Sequence, residues 1–171
     1  MYPKYIKLIL AFLTLSYSIF QFYENNIGNG IALIFLMIIF VFLYFKNEII
    51  LLAFLRLRKQ DFNGTEKWLN KIKNPESALT RKQVGYYNYL KGIISSQTNL
   101  TLAEKYFKKA ISLGLSMNHD LAMAKLSLAG ILIQKRRKRE ATTLLNEAKK
   151  IDTQKMLSDQ IKMMQQQMKK I

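Results

Sequence analysis

The sequence contains no cysteine, one histidine and only two prolines in 171 residues. Without cysteine the chain cannot form a disulfide or supply a thiolate ligand to a metal. A single histidine also excludes a site built from several imidazole ligands. Two prolines and seven glycines favour helices over a loop-rich fold. We therefore expect a helical protein that binds no metal and no cofactor.

Motifs that carry catalysis or hold phosphates are also missing. The sequence has no GxSxG, no HExxH, no glycine-rich phosphate loop and no pair of carboxylates at a meaningful spacing. His119 lies in a predicted loop just before a helix, and acid–base catalysis would need a positioned partner beside it. We therefore expect neither an enzyme nor a protein that binds a small-molecule substrate.

Acidic residues are scarce, and the apolar residues are concentrated near the amino terminus. There are 27 Lys and Arg against 11 Asp and Glu, which gives a net charge of +16. Residues 5–22 carry one charged side chain, Lys7, and residues 31–45 carry none. With its flanks, each run reaches the roughly 20 residues needed to cross a bilayer. Residues 1–46 are therefore predicted to form a transmembrane helical hairpin around a polar turn at 23–30.

The distribution of Lys and Arg sets the expected orientation of this hairpin. The turn at 23–30 contains neither residue, Lys4 and Lys7 precede the hairpin, and the other 25 bases follow it. The positive-inside rule then places both termini in the cytoplasm. A signal peptide is the alternative for the first run, but its length and the lack of a small-x-small cleavage pattern favour a retained helix. We expect a multi-pass protein of a bacterial-type inner (cytoplasmic) membrane.

A helical pattern recurs every 38 residues in the rest of the chain. The blocks at 65–72, 103–110 and 141–148 each place a small residue first, a bulky one fifth and an apolar one eighth. Spacings of four and three put these positions on one helical face. Similar segments precede the blocks, so each unit is predicted to be two helices joined by a turn. The matching positions are Thr65, Leu69 and Ile72, then Ala103, Phe107 and Ala110, then Ala141, Leu145 and Ala148.

This small–bulky–small pattern resembles the tetratricopeptide repeat (TPR) family. Residues 86–113 match best, residues 122–152 next, and residues 47–75 form a degenerate copy; the best match runs through Gly92, Ala103, Phe107 and Ala110. The period of 38 residues exceeds the family's usual 34 or so by about one helical turn, and other helical-pair repeats remain alternatives. The resemblance implies an all-α solenoid of about three TPR-like units over residues 47–155.

The two ends of this repeat region carry further signals. No Gly or Pro lies between Ile31 and Gln60, so the first repeat helix is predicted to continue the second membrane helix directly. Residues 156–171 are predicted to form a capping helix over the last repeat, with a short coiled coil as the alternative. That helix carries apolar residues at spacings of 4, 3, 4 and 3, at Leu157, Ile161, Met164, Met168 and Ile171.

Two clusters are candidates for partner binding. Tyr86, Tyr87 and Tyr89 are predicted to line a concave groove, although core packing explains at least one of them, and the TPR resemblance implies that Asn88 holds a peptide backbone. The second cluster is a run of five bases in the predicted turn of the last unit: Lys135, Arg136, Arg137, Lys138 and Arg139. Such a run is a solvated turn, a contact for anionic lipid headgroups or a contact for RNA phosphates.

These features predict a membrane-anchored cytoplasmic scaffold or adaptor that binds another protein, as an assembly factor or accessory subunit of an inner-membrane complex. The rival hypothesis is a membrane receptor that contacts a ribosome, RNA or anionic lipid through its basic surface. The sequence shows no RNA-recognition signature, so the rival rests on charge alone. A purely structural subunit of a larger complex is the third alternative.

Overall fold

The computed structural model describes residues 5–45 and 47–169, and within those ranges every regular element is a helix. The predicted all-α fold is therefore confirmed for this part of the chain. In chain order the helices are α1 (Tyr5–Tyr23), α2 (Ile27–Phe45), α3 (Glu48–Arg58), α4 (Phe62–Asn70), α5 (Pro75–Ala78), α6 (Arg81–Ser95), α7 (Leu100–Leu113), α8 (Asn118–Gln134), α9 (Lys138–Ile151) and α10 (Ser158–Lys169).

The first two helices form an antiparallel hairpin. Each has 19 residues, so each is about 28 Å long at 1.5 Å per residue. That length approaches the roughly 30 Å hydrocarbon core of a bilayer. Large apolar side chains, including Phe12, Ile19, Phe35 and Phe42, are exposed on their outer faces. Both helices are long and apolar enough to cross a membrane.

The hairpin turn is tighter than the sequence predicted. Instead of the whole segment 23–30, it consists of three residues centred on Asn25, whose φ is +62°. The two helices approach closely beside the turn, where Ser18 Oγ of α1 donates to the Gly30 carbonyl oxygen of α2 at 2.8 Å. A Cβ on Gly30 would lie 2.7 Å from Cζ of Phe22. Gly30 therefore serves helix packing in the first turn of α2, not chain reversal.

The chain does not continue as one helix from α2 into α3. Asn47 is extended, with φ −64° and ψ 128°, and its Oδ1 accepts hydrogen bonds from the backbone N–H groups of Ile49 and Ile50. This is an N-cap, which satisfies amide groups that have no partner inside the helix. The prediction of direct continuation is wrong. The extended backbone of Asn47 interrupts the helical path without Gly or Pro, and its side chain caps the start of α3.

The remaining helices pack largely as consecutive pairs: α3 with α4, α6 with α7, and α8 with α9. The second helices begin at Phe62, Leu100 and Lys138, so successive starts are 38 residues apart, as the sequence pattern predicts. Asp61 and Asn99 cap the first two of them through side-chain oxygens. The short helix α5 lies between the first and second pairs and was not anticipated.

Two of the turns within the pairs have the same backbone hydrogen bonds. Gln60 in the first pair and Arg136 in the third both have φ of +58°. The next residue, Asp61 or Arg137, donates its N–H to a carbonyl five residues back. This is the Schellman arrangement, in which a left-handed residue ends a helix and satisfies its last carbonyls. The basic run is therefore part of an ordered turn.

The repeated small and bulky residues form the centre of the core. All nine of the matching positions on α4, α7, α9 and the segment after α4 are at least 98% buried. The ring of Phe107 packs against Gly92, where a Cβ would lie 3.0 Å from two ring carbons. Gly130, at the equivalent position of the next pair, instead faces the methyl group of Met164 on α10. Sequence-equivalent glycines thus admit different neighbours.

The last helix packs on the third pair. Helix α10 contacts α9 and α8, and Leu157, Ile161 and Met168 are buried there. The side chain of Asp152 turns the chain toward α10 by accepting the backbone N–H groups of Met156 and Leu157. The apolar spacing thus identified the face that packs, except for Ile171, which lies outside the described residues.

Candidate interaction surfaces

Two of the tyrosines predicted to line a groove lie in the core. Tyr86 and Tyr89 are each more than 90% buried. The Tyr86 hydroxyl donates to Oδ2 of Asp120 on α8 at 2.6 Å. The Tyr89 ring stacks with Phe54 of α3 at a centroid distance of 6.2 Å and meets Phe107 edge-on at 6.0 Å. These rings join neighbouring helix pairs rather than present a surface.

Burial also raises the pKa of both hydroxyls. Desolvation is the main cause in each case; it raises the pKa of Tyr89 to about 12, and for Tyr86 the hydrogen bond to Asp120 adds to it. Both hydroxyls therefore remain protonated at neutral pH, and Tyr86 remains a donor to Asp120. Their chemistry is that of structural hydrogen bonding and packing.

The other two members of this cluster differ in exposure. Asn88 is buried, and its Nδ2 donates to the Val84 carbonyl of its own helix at 2.7 Å. Tyr87 is half-buried, and burial raises the pKa of its hydroxyl. Three of the four residues thus face inward, so the predicted aromatic groove is not formed by Tyr86, Asn88 and Tyr89 in this structure.

The five bases of the basic run divide between two environments. Lys135 and Arg137 are half-buried, and Arg136, Lys138 and Arg139 are exposed. The predicted turn is shorter than the run, because Lys138 already begins α9. The ordered backbone of the turn therefore directs alternate residues toward the protein and toward solvent.

The half-buried bases converge on one acidic residue of the preceding pair. Glu104 on α7 is only 7% exposed. Its carboxylate accepts Lys135 Nζ at 2.8 Å, Arg137 Nη1 at 2.6 Å and Lys108 Nζ at 2.7 Å. Hydrogen bonds from Lys108 and Lys135, with a further one from Arg137, lower its pKa to about 2. The guanidinium of Arg137 also forms two hydrogen bonds to Glu140.

The exposed bases form a separate surface, which we call the basic edge: Arg136, Lys138, Arg139 and Lys162. No ion pair between described residues involves any of these four. Lys138 and Lys162 line a cleft of about 440 Å³ between α9 and α10, together with Gln165 and Gln166. The basic edge therefore has positive charge that no internal acid neutralises.

An apolar groove lies where the third pair stacks on α7. Its lining includes the buried side chains of Leu128 and Leu132 from α8, with Ile111 of α7 and Leu144 of α9 beside them. The groove holds about 380 Å³, and Lys108, Ser112, Glu140 and Thr143 also line it. Sequence reasoning missed it because it forms only when consecutive pairs stack. One signal was present in the sequence. Leu144, which lines the groove, lies 38 residues after Tyr106, so the repeat places a large apolar residue at the same position of both units, and both residues are half-buried.

A second cleft, of about 470 Å³, lies where the hairpin meets the helix pairs. Lys7 of α1 forms an ion pair with Glu48 of α3 and also donates to the Leu43 carbonyl at 3.2 Å. Gln83 of α6 donates to the Tyr44 carbonyl at 2.9 Å. These polar contacts connect the base of the hairpin to the first two helix pairs.

Metal sites and known relatives give no further guidance. Residues 5–45 and 47–169 contain no group of three or more His, Asp or Glu side chains placed to hold a metal ion. No protein-family model matches the chain, and neither a curated protein nor a solved structure matches it. Function must therefore be inferred from the chain's own geometry.

Proposed function

We propose that this protein is a membrane-anchored cytoplasmic scaffold that binds another protein, as an assembly factor or accessory subunit of a membrane complex. The observation that supports it most is the exposed apolar surface of the α1–α2 hairpin, joined directly to an array of helix pairs. Apolar patches of this extent mark contact with a membrane or a protein. Two adjacent helices of membrane-spanning length favour the membrane.

The charge distribution supports a cytoplasmic location for the helix pairs. An antiparallel hairpin places its two ends on the same side, and the Lys7–Glu48 ion pair lies at that end. The opposite end, around Asn25 and Asn26, carries only the acid Glu24. Lys and Arg are retained on the cytoplasmic side of membrane helices. The helix pairs and both termini are accordingly assigned to the cytoplasm of an inner-membrane protein.

Partner binding is assigned to the apolar groove formed by α7, α8 and α9. A leucine-lined groove with charged Lys108 and Glu140 beside it suits a partner segment with an apolar face and polar flanks, such as an amphipathic helix. The consecutive helix pairs support this assignment, since repeats of the TPR-like kind that the sequence resembles expose extended surfaces for protein ligands.

The groove assignment is tested with full-length protein purified in mild detergent. Partners recovered with the parent are compared with those recovered with Ile111→Asp and Leu144→Asp, which place a charge in the groove. Asn146→Asp is the matched control, because Asn146 is exposed on the same helix and does not line the groove. We expect one discrete protein to be lost from both groove variants and kept by the control. Identical partner sets in all four samples would exclude the groove.

A second function is favoured by the basic edge. Its unpaired, exposed bases suit a polyanion, either the RNA of a ribosome near the membrane or a surface of anionic lipid headgroups. Lys135 and Arg137 do not contribute to this surface, because they are committed to Glu104. The rival function therefore depends on three bases of the run and Lys162, fewer than the sequence suggests.

A further inference from the structure

Helix α3 is apolar on two opposite faces, and the rest of the chain covers only one of them. Ile50 and Ala53 point inward and are buried, with Leu57 packed beside them. On the outward face Leu51 is 44% exposed, Leu52 37% and Leu55 48%. Among the described residues outside the hairpin, α3 is the only helix that carries three exposed leucines. A helix that serves only one core has a polar outer face.

The charges around this outward face have an ordered placement. At 100° per residue, Leu51, Leu52 and Leu55 share one stripe, and Arg56 and Arg58 fall on opposite sides of it. Lys59 follows at the carboxyl end, and all three bases are exposed. Long basic side chains beside an apolar stripe can keep their charges among headgroups while their stems lie along apolar surface. This distribution is typical of a helix that lies in a membrane interface.

The position of α3 in the chain provides the independent argument for a lipid surface. The helix begins at Glu48, three residues after α2 ends at Phe45, and Glu48 pairs with Lys7 at the base of the hairpin. The extended backbone of Asn47 interrupts the helical path, so α3 is a separate helix and not an extension of α2. The exposed leucines thus begin within two helical turns of the hairpin.

We propose that α3 docks on the bilayer surface, with Leu51, Leu52 and Leu55 in the headgroup–acyl boundary and Arg56, Arg58 and Lys59 against anionic headgroups. This inference rests on the proposed membrane anchoring and adds a second attachment to it. A hairpin alone holds the helix pairs near the membrane, whereas a docked α3 also fixes which of their faces turns away from it. The apolar groove and the basic edge would then have defined orientations for their partners.

The experiment uses the full-length protein in two kinds of lipid nanodisc, neutral discs of neutral lipid alone and anionic discs that also contain anionic lipid. Because the chain has no cysteine, Leu52→Cys gives a single site for an environment-sensitive fluorophore. Leu102→Cys is the matched control, since Leu102 is a comparably exposed leucine (40%) on α7. Phe35→Cys, in the middle of α2, reports on the anchor independently. Nitroxides placed at shallow and deep positions of the lipid measure depth.

We expect the emission maximum of the Leu52 label to shift to shorter wavelength and its fluorescence to be quenched by the shallow nitroxide. The Leu102 label should show neither effect. Changing Arg56, Arg58 and Lys59 to Gln should reduce that quenching in anionic discs and leave it unchanged in neutral discs. The Phe35 label should be quenched by the deep nitroxide throughout.

The outcomes separate this inference from the anchoring on which it depends. A quenched Phe35 label with a Leu52 label that behaves like Leu102 would overturn the docking of α3 and leave the anchor intact. An unquenched Phe35 label would overturn both. A water-soluble quencher tests a third outcome. If the Leu52 label is protected from it only at high protein concentration and is not quenched by the lipid nitroxides, a second copy of the chain covers α3 in place of the bilayer. That result would also overturn the proposal.

Discussion

Arg137 in the turn between α8 and α9 donates through Nη1 to Oε1 of Glu104 on α7, at 2.6 Å and across 33 residues of sequence. Exposed ion pairs usually contribute little to stability, because water and salt screen them. The Glu104 side chain is only 10% exposed, so removal of its partners would leave a poorly solvated charge. The contact therefore joins the second and third helix pairs and gives part of the basic run a structural role.

The first prediction concerns the acid dependence of this contact. Above the unfolded-state pKa of about 4.5, the ionised Glu104 stabilises the native state; because its native pKa is lowered to about 2, this contribution is lost as the pH falls from about 4.5 to 2. Glu104→Gln should lower the free energy of unfolding at neutral pH by about 1–3 kcal/mol. The difference in the free energy of unfolding between this variant and the parent should become smaller as the pH falls from about 4.5 to 2.

Denaturant unfolding of the full chain in detergent, across this pH range, measures both effects. Glu76→Gln is the control, because the Glu76 side chain is 67% exposed and pairs only with exposed Lys109. We expect the control to stay close to the parent at every pH. A Glu104→Gln variant with an unchanged pH profile would show that the carboxylate is not held by its three bases in solution.

The repeat could be predicted from the sequence because its signal is local. Small and bulky residues at spacings of four and three mark a helix face, and the same face recurs after 38 residues. The break at Asn47 was missed for a related reason. An asparagine before Glu48 is an N-cap signal, but the prediction of one continuous helix rested on the absence of Gly and Pro between Ile31 and Gln60.

The candidate sites could be predicted less well, because they depend on contacts between distant residues. The residues of α6 do not show which of its faces meets α3 and α8, so the burial of Tyr86 and Tyr89 depends on their neighbours. In the same way, the charge of Lys135 does not show that Glu104, 31 residues away, neutralises it. The sequence shows a run of five bases, but only the packing of consecutive helix pairs shows which of them pair with Glu104 and which are exposed.

The second prediction compares two glycines in the first helices of consecutive pairs. A Cβ on Gly85 would lie 2.5 Å from the carbonyl oxygen of Gly114, which is backbone and must move to accommodate it. Gly85→Ala should therefore destabilise the protein by about 1–3 kcal/mol through overpacking. A Cβ on Gly130 would meet only the Met164 methyl group at 3.4 Å, so Gly130→Ala should stabilise α8 by up to about 1 kcal/mol.

Thermal unfolding followed by circular dichroism distinguishes the two alanine variants. The expected shifts have opposite signs, so a general effect of substitution in detergent cannot produce both. Equal melting temperatures for the two variants would mean that α6 does not approach Gly114 as the structure describes.

The third prediction tests the membrane topology. In separate variants, Asn26→Cys and Thr153→Cys each introduce the only thiol of the chain, and both positions are exposed. If the hairpin turn faces outward and the helix pairs face the cytoplasm, a membrane-impermeant thiol reagent should label Asn26→Cys in intact cells and spare Thr153→Cys. Permeabilised cells provide the control, since both variants should then react. Labelling of Thr153→Cys alone in intact cells would reverse the assigned orientation.

The last prediction separates the two roles of the basic run with paired variants. Changing Arg136, Lys138 and Arg139 to Gln removes exposed charge from the basic edge and should leave the unfolding temperature nearly unchanged. Changing Lys135 and Arg137 to Gln removes two partners of Glu104 and should lower that temperature. The two variants thus separate loss of polyanion binding from loss of folding, which a single five-residue substitution would combine.

Binding of these two variants is measured with the full chain in neutral-lipid nanodiscs, against purified ribosomes and anionic vesicles at low and physiological salt. The scaffold proposal expects weak binding of the parent to both polyanions at low salt only. The slope of log K against log salt should be shallower for the triple variant, by about 1 for each phosphate that it no longer neutralises. Saturable ribosome binding that survives physiological salt, disappears in the triple variant and persists in the folded double variant would instead favour the ribosome-receptor function, because only a specific surface resists competition by salt.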